Sequence, residues 1–487
     1  MQTTNFVQGR RPEVTYLSED DKERIMTAAL HVLQETGMRL LHPEARDMLV
    51  QAGCTLHGED CITVPGPMVQ EAIDSAPSNI SLFNREGHKV MDLGDKRAYF
   101  GTGSDLMYTL NGASLERETT SLEHVGRAAR LCDALPNIDF VMSFAHPQEI
   151  SPHLAYLASF QAMAENTVKP IVCTAEGRQD LSAMWDIGVI LRGSEQDMRD
   201  KPYCVQYAEP ISPLKHPFPS VDKLLFCAEK GLPCIYSPAP MAGSTAPMTL
   251  AGHIVQGLAE SLFGLVMHQL KGKHAPFIMG MGSAVLDMVS SECSYNAPEY
   301  YLAYMGMVEM SHYLDLPSWG YAGTSDSQIP DGQATFEAGM MSYLSALSGA
   351  NLNHDVGYLD FGRAGSLEMI VICNEMIDEI RRMQQGIPVN EEQLAVQVIH
   401  EVGAGGHYLM HDHTLDNVRR TQWRPKLFSR LGREAWEAEG KTSLLDRART
   451  RVQEILESHQ AQAMPAEAAE SLRKRVHSFE QELAIKA

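Results

Sequence analysis

Eight short segments rich in apolar and β-forming residues alternate with helix-length stretches through the middle of this chain. The segments are residues 97–103, 139–145, 169–174, 203–208, 233–237, 276–280, 317–321 and 351–359. Strands and helices that alternate eight times predict an α/β fold, a closed parallel (β/α)8 TIM barrel. A doubly wound open sheet is the alternative, but no GxGxxG motif follows the first strand, so the usual dinucleotide-binding reason for that fold is missing.

The two ends of the chain lack this alternation and have helical patterns instead. Ser18 and Asp21 match a capping box at the start of an amphipathic run, and residues 444–459 are strongly amphipathic. The predicted domains are an N-terminal helical region over residues 1–95, a catalytic barrel over 96–389 and a C-terminal helical region over 390–487 that packs on the barrel.

The net charge and the cysteine content limit which classes of partner and which cellular compartment are expected for this protein. The 487 residues include 40 Lys and Arg against 62 Asp and Glu, a net charge of −22, which argues against nucleic acid and anionic membrane as partners. No signal-peptide core begins the chain, and we expect no membrane-spanning window. The 9 cysteines are scattered without a CxxC pair, so the sequence supports no disulfide framework and indicates a cytoplasmic protein.

Polar side chains gather where two of the predicted strands end. Asp326, Gln328 and Asp331 follow the seventh segment, and Glu209 follows the fourth. Because the active sites of barrels lie at the carboxyl ends of the strands, we expect these groups to line a site. An ordinary helix N-cap by Asp331 or Ser327 is the alternative for the first group, and a structural hydrogen bond is the alternative for Glu209.

Familiar catalytic motifs are missing. The sequence contains no HExxH, GxSxG, SxxK or P-loop motif. The densest histidine cluster, HDH at residues 411–413, falls outside the barrel segments, where a solvated or interface role is favoured over metal ligation. We therefore expect neither a protein nucleophile nor a bound metal.

Several long blocks, in order, resemble the trimethylamine methyltransferase family of corrinoid-dependent TIM-barrel enzymes. The blocks are EPISPL (209–214), GSTAP (243–247), PEYYLAYMGMVEMSHYLDLP (298–317), SDSQIPDGQATFEAG (325–339), SLEMIVICNEMI (366–377) and GAGGHYLMHDHTLDNVRRTQWRP (403–425). Members specific for trimethylamine carry pyrrolysine near the seventh strand, whereas here Gln328 or a neighbour occupies that place. The resemblance therefore implies a pyrrolysine-free methyltransferase that demethylates a quaternary amine, such as glycine betaine, proline betaine, carnitine or γ-butyrobetaine.

The resemblance also implies roles for individual side chains. Asp326, Gln328 and Asp331 would shape the site near the transferred methyl group, and Glu209 would form its floor. The expected cation cage consists of Tyr99, Phe100, Tyr358 and Phe361, although strand alternation lets at most one of the first two face the lumen. We expect His354 and Arg363 to bind a substrate carboxylate. Plain packing is the alternative for the aromatic residues, and an ion pair with Asp360 or Glu368 is the alternative for Arg363.

The partners follow from the same resemblance. A separate cognate corrinoid protein would dock over the barrel mouth and supply the cobalamin, so no tightly bound cofactor is expected. Met281 and the region around Met241 are candidates for the docking rim, and a homo-oligomer is expected. Two other functions stay open: a metal-dependent barrel hydrolase or lyase that uses His146, Glu209, Asp326 and His354, and a non-catalytic protein that binds quaternary amines.

Overall fold

The computed structural model describes residues 12–486 as a mixed α/β fold. The strands are β1 (Met38–Leu40), β2 (Thr55–His57), β3 (Cys61–Thr63), β4 (Ile80–Phe83), β5 (Lys89–Leu93), β6 (Tyr99–Phe100), β7 (Tyr108–Leu110), β8 (Arg117–Thr119), β9 (Ile171–Cys173), β10 (Cys204–Ala208), β11 (Lys215–His216), β12 (Cys234–Tyr236), β13 (Phe277–Met279), β14 (Val285–Leu286), β15 (Cys293–Ser294), β16 (Trp319–Tyr321), β17 (Leu352–His354), β18 (Tyr358–Leu359) and β19 (Ala364–Gly365). The helices are α1 (Glu19–His31), α2 (Pro43–Ala52), α3 (Gly66–Ser75), α4 (Leu122–Ala134), α5 (Pro152–Asn166), α6 (Arg178–Arg192), α7 (Glu195–Asp200), α8 (Phe218–Lys230), α9 (Leu250–Lys271), α10 (Pro298–Tyr313), α11 (Gly332–Ser348), α12 (Leu367–Gln384), α13 (Glu391–Leu394), α14 (Val396–Val402), α15 (Asp412–Thr421), α16 (Arg433–Ala438), α17 (Leu444–Ser458) and α18 (Ala466–Lys486).

Parallel strands occupy the centre of the fold. One sheet has the order β9–β10–β12–β13, and a second has the order β16–β17–β6. Isolated parallel bridges join Met279 to Ser318, Gly101 to Phe140 and Val141 to Ile171. Each of the eight predicted segments therefore takes part in parallel pairing. Because parallel neighbours run in one direction, their carboxyl ends lie along a common edge, and the loops that follow them meet there.

One apolar cluster is formed by side chains from these strands and from the β4–β5 hairpin, which packs at the amino ends of the strands. The strands contribute Phe140, Met142, Val172, Val205, Ile235, Ile278, Trp319 and Leu352, and the hairpin contributes Ile80, Leu82, Met91 and Leu93. Backbone bonds from Phe83 to Pro202 and from Arg85 to Val168 attach the hairpin to residues that precede β10 and β9. Because the β4–β5 hairpin covers the amino ends of these strands, a site is expected at their carboxyl ends.

Residues 12–95 contain short strands as well as helices. The capping box of Ser18 and Asp21 is present at α1, but the amphipathic run ends in a π-helical turn, Val32–Thr36, and the chain then enters β1. Gly37 makes this change of direction possible, because its φ is +73° and an added Cβ would lie 2.7 Å from the Ile62 carbonyl oxygen. Strands as short as β1–β5 give too little period-two pattern to be recognised in the sequence.

Helix α9 is the one element in the described residues 12–486 that is long and apolar enough to cross a membrane, a feature that the sequence analysis did not anticipate. Most of that stretch is buried, and α9 packs against α1, α3, α8 and α10. This burial is typical of a core helix in a globular protein.

Helices also follow the last parallel strand through to residue 486. Val452 and Ile455 of α17 are buried against α12 and α4, while Leu472 and Phe479 of α18 are buried against α5 and α6. By contrast, α13, α14 and α15 contain no buried residue, and several of the apolar side chains in and beside them are exposed. This part of the tail thus adds surface rather than core.

Candidate active site

Aromatic rings lie in contact with one another at the carboxyl ends of the parallel strands. The His354 ring stacks on Trp319 with centroids 4.2 Å apart, and the Tyr321 ring centroid lies 4.6 Å from that of the same imidazole. We call this group the aromatic cluster; its members are Tyr207, Tyr295, Tyr300, Trp319, Tyr321 and His354, with successive ring centroids no more than 5.9 Å apart. Tyr207 and Tyr295 are half-buried, so solvent reaches the cluster.

A buried carboxyl group, that of Asp355, adjoins the aromatic cluster. Asp355 directly follows β17 and has a φ of +76°, a left-handed conformation that few residues other than glycine adopt. Nε2 of the His354 imidazole lies 3.3 Å from its Oδ1 atom. Burial raises the pKa of the Asp355 carboxyl well above its usual range. A desolvated carboxyl beside aromatic rings is typical of a functional site.

His354 is held as a neutral imidazole. Its Nδ1 atom lies 2.7 Å from the Gly320 carbonyl oxygen, which can only accept, so Nδ1 carries the proton. Burial lowers the pKa of His354 to about 3. A neutral ring with its one N–H committed to the backbone is poorly suited to the carboxylate-binding role that the sequence analysis expects of it.

Tyr358, one of the residues predicted for the cation cage, lies beside Asp355. Its hydroxyl donates to the Ser104 carbonyl oxygen, and a Cβ added at Gly103 would collide with both Asp355 Oδ1 and the Tyr358 hydroxyl. Burial, and then the nearby Asp355 carboxyl, raise the pKa of Tyr358 well above its usual range. Gly103 therefore permits the close approach of the first and last predicted strand ends.

Further ionisable groups follow the first four predicted strands. Glu209 is exposed to solvent and accepts a 2.7 Å hydrogen bond from the Tyr207 hydroxyl, yet the surrounding protein raises the pKa of its carboxyl. His146 lies 3.6 Å from Asp105, which raises the pKa of the imidazole. Lys223 donates to the Ala175 carbonyl oxygen at 2.6 Å, and burial lowers its pKa. Glu209 thus borders the cluster through Tyr207.

The polar stretch after β16 has mainly structural contacts. Asp331 caps α11 by accepting from the Ala334 N–H at 2.9 Å, which is the alternative that its sequence position left open. Gln328 is exposed and donates to the Asp326 carbonyl oxygen at 3.1 Å. The Asp326 carboxylate accepts from the Ser294 hydroxyl at 2.5 Å and from the Tyr295 N–H at 3.1 Å. Asp326 therefore fixes the loop that carries Tyr295 into the aromatic cluster.

The structure does not bring the first-strand aromatics to the cluster. Tyr99 packs on the apolar interior, where its hydroxyl accepts from the Asp92 N–H at 3.1 Å, beside the hairpin at the amino end. Phe100 faces the opposite side of β6, where the Arg381 guanidinium lies 5.9 Å from its ring. As alternation requires, only one of the pair faces inward, but it lies at the wrong end of the strand for a cage.

Arg363 and Phe361 lie at the rim. The exposed Arg363 pairs with Glu292, rather than with Asp360 or Glu368, and its guanidinium lies 5.5 Å from the Phe361 ring. Glu292 belongs to the turn of the β14–β15 hairpin, so this ion pair joins two rim segments. Met281, a candidate for the rim, is buried instead.

Comparison with known proteins decides the family. A family model described as trimethylamine methyltransferase (MTTB) matches residues 1–484. The chain belongs to the trimethylamine methyltransferase family. Among its relatives, the trimethylamine methyltransferase MttB of Desulfitobacterium hafniense (strain DSM 10664 / DCB-2) is 31% identical over 96% of this chain and 94% of its own length. The glycine betaine methyltransferase of Desulfitobacterium hafniense (strain Y51) is 28% identical over 94% of this chain and 95% of its own length.

Solved structures support the fold. The monomethylamine methyltransferase MtmB of Methanosarcina barkeri aligns with 91% of this chain and 88% of its own, with a TM-score of 0.51 and 12% identity. A hydroxylamine complex of MtmB gives a TM-score of 0.52 at the same identity and covers 91% of this chain and 89% of that chain. As a member of the trimethylamine methyltransferase family, the chain is a methyltransferase, and the family comprises corrinoid-dependent methylamine and betaine methyltransferases.

The aromatic cluster contains residues that the sequence analysis missed. Asp355 was passed over although it follows His354 directly, and Trp319 and Tyr321 were counted only as parts of a strand. The signal available was period-two alternation, which places Trp319 and Tyr321 on one face of β16. No such signal exists for Tyr295, because a loop brings it to the cluster.

The metal-dependent alternative lacks a ligand set in the described residues 12–486. No group of three or more His, Cys, Asp or Glu side chains there is arranged to hold a metal ion. Of the four residues considered for that role, Asp326 bonds to a loop and His354 bonds to Gly320. The arrangement of these side chains therefore gives no support to the hydrolase or lyase interpretation.

Proposed function

We propose that this chain transfers a methyl group from a quaternary amine to the Co(I) centre of a cognate corrinoid protein. Glycine betaine and its relatives proline betaine, carnitine and γ-butyrobetaine are the proposed substrates. The observation that carries the proposal is the aromatic cluster beside the buried Asp355 carboxyl, in a member of this family. Aromatic faces and a carboxyl group are what a trimethylammonium group, which has no N–H to donate, can interact with.

The protein's task in this reaction is to bind and orient the substrate and to exclude water. A quaternary ammonium already carries its leaving group in activated form, since a neutral tertiary amine departs, so no general acid or protein nucleophile is needed. When bound, the corrinoid protein supplies the nucleophilic cobalt. Each aromatic face contributes about 0.5–2 kcal/mol to holding the cation. Fixing one N–methyl bond in line with the acceptor then accounts for the rate enhancement.

The site residues divide by position in this proposal. Tyr358 belongs to the cation-binding wall, and Glu209 forms part of the floor near Tyr207. Asp326 acts by positioning Tyr295. Arg363 reaches a substrate carboxylate only if it releases Glu292 at the rim.

We propose a (β/α)8 barrel over residues 96–389 as the scaffold, flanked by regions 1–95 and 390–487. The support is the chain of parallel pairs that links all eight predicted segments, including the return from β17 to β6. A cytoplasmic location fits the burial of α9 and the 9 free cysteines.

We further propose that the corrinoid protein docks on the apolar side chains at the loops that follow the strands. Met248, Met288, Val289, Ile329 and Phe336 are exposed there, with Val289 at 96% exposure. Apolar side chains concentrated in this way are characteristic of protein-binding surfaces. A second exposed apolar group in the tail, including Ile387 and Met410, supports a homo-oligomer.

The direct test is to incubate the purified protein with reduced cobalamin or its corrinoid protein and a panel of quaternary and tertiary amines. Methyl transfer is followed by the absorbance of methylcobalamin and by the demethylated amine. We expect turnover of at least one betaine in a one-to-one ratio of the two products. Turnover of trimethylamine alone, or betaine binding without any transfer, would contradict the proposal.

A further inference from the structure

The pair formed by His354 and Asp355 has a feature that cation binding alone does not explain. His354 Nδ1 must donate to the Gly320 carbonyl oxygen 2.7 Å away, so a neutral imidazole presents a lone pair at Nε2. Asp355 Oδ1 lies 3.3 Å from this Nε2 atom, although in the present orientation the two atoms make no hydrogen bond. An ionised carboxylate beside a neutral Nε2 atom would have no proton to share with it, whereas a proton on the carboxyl could be donated to the Nε2 lone pair.

We propose that Asp355 and His354 hold one proton between them in the substrate-free protein, and that binding of a cationic substrate displaces it to solvent. The exchange balances, because the protonated pair and the free cation are converted into the deprotonated pair with its bound cation and one proton released to solvent. The pair goes from neutral to a single negative charge, which neutralises the incoming ammonium. This inference rests on the proposed function, because it assigns the charge-recognising group of that site.

The surroundings of the pair favour a neutral empty state. The groups that face Asp355 from neighbouring elements are tyrosines that stay protonated: Tyr207 on β10, Tyr295 after β15, Tyr300 on α10, Tyr321 on β16 and Tyr358 on β18. Glu209, which accepts a hydrogen bond from Tyr207, is the other carboxyl group that borders the aromatic cluster. Burial raises the pKa of Asp355 and lowers that of His354 to about 3, which puts the shared proton on the carboxyl.

The site therefore selects for permanent positive charge. A quaternary ammonium keeps its charge at every pH and drives the proton off, whereas a neutral molecule of the same shape leaves the pair protonated. By linkage, affinity for the cation rises with pH by up to about tenfold per unit below the pKa of the free pair and becomes constant above it.

Calorimetry measures the proton directly. Tetramethylammonium and glycine betaine are titrated into the intact protein between about pH 5 and 8, in buffers that differ in ionisation enthalpy. We expect proton release that approaches one per site at the acid end for the wild type and for Glu209→Gln, and none for Asp355→Asn. The inference is overturned if the wild type binds the cation without releasing a proton. It is also overturned if proton release is lost in Glu209→Gln but kept in Asp355→Asn.

Infrared spectroscopy gives a second readout that needs no turnover. The ligand-free protein should show a protonated-carboxyl stretch that is absent from Asp355→Asn and disappears when tetramethylammonium is added. If Asp355→Asn does not fold, His354→Asn tests the pair instead. Its amide can still donate to the Gly320 carbonyl oxygen, but it lacks Nε2, so the carboxyl band should shift. Absence of the band in the wild type rejects the shared proton, while methyl transfer from betaines tests the proposed function separately.

Discussion

Replacing Tyr358 by leucine tests whether its ring holds the substrate cation. The ring lies beside Asp355, is 6% exposed and is fixed by the bond from its hydroxyl to the Ser104 carbonyl oxygen. Loss of one aromatic face removes about 0.5–2 kcal/mol of cation binding. That range corresponds to an increase in KM of about 2- to 30-fold without a comparable loss of kcat, because the lost interaction is strongest with the bound cation and weakens as the departing amine becomes neutral.

Tyr358→Phe is the matched control, since it keeps the ring and removes only the hydroxyl. It should retain a KM close to that of the wild type, and thermal unfolding of both variants separates a loss of packing from a loss of binding. The decisive comparison is with the neutral isostere of the substrate, in which carbon replaces the ammonium nitrogen. Tyr358→Leu should weaken the amine more than the isostere. If Tyr358→Leu weakens the binding of both ligands equally, the ring does not recognise the positive charge and contributes only to the shape of the site.

Three further changes test the scaffold, the buried histidines and the rim. Gly103→Ala places a Cβ against Asp355 Oδ1, so it should lower substrate affinity at least about tenfold and the free energy of unfolding by about 1–3 kcal/mol. Gly177→Ala is the control, because open space surrounds that position, and it should change neither quantity. Unchanged substrate affinity in Gly103→Ala would contradict the predicted contact with Asp355. Burial holds the pKa of His268 at about 3, below its ordinary 6.5, so the unfolded chain binds more protons between these values and stability falls as the pH drops through them. His268→Leu should remove up to about 1.4 kcal/mol per pH unit of that fall in denaturant titrations, and parallel pH profiles would be inconsistent with a buried neutral ring. Val289→Glu should slow methyl transfer to the corrinoid protein but not to free cobalamin. If Val289→Glu slows transfer to both acceptors, the rim is not the docking surface. Leu409→Glu in the tail should change only the oligomeric state measured by light scattering.

The sequence predicts the central strands well because each is a short apolar run separated from the next by a helix. The same reasoning fails for β1–β5, where strands of three to five residues are too short to display a period. Gly37 marks the change from helix to strand, but only the tertiary contact with Ile62 reveals that its conformation is required.

Chain order alone places some of the predicted site residues, whereas packing decides where others lie. Tyr358 lies beside Asp355 because both residues closely follow β17. Asp331 is a helix cap, and the alternation of side chains along β6 turns Phe100 away from the apolar interior that Tyr99 contacts. Arg363 pairs with Glu292 because a hairpin 71 residues earlier reaches it, and no local pattern encodes that meeting.

The proposed function requires a permanent cation to bind beside Asp355 at the carboxyl ends of the parallel strands. A crystal structure of the protein with tetramethylammonium or glycine betaine would show where the cation binds. We expect the quaternary nitrogen within about 6 Å of the ring centroids of Tyr321 and Tyr358, next to the Asp355 carboxyl. An amine bound elsewhere, or a metal ion held by side chains at this position, would contradict it.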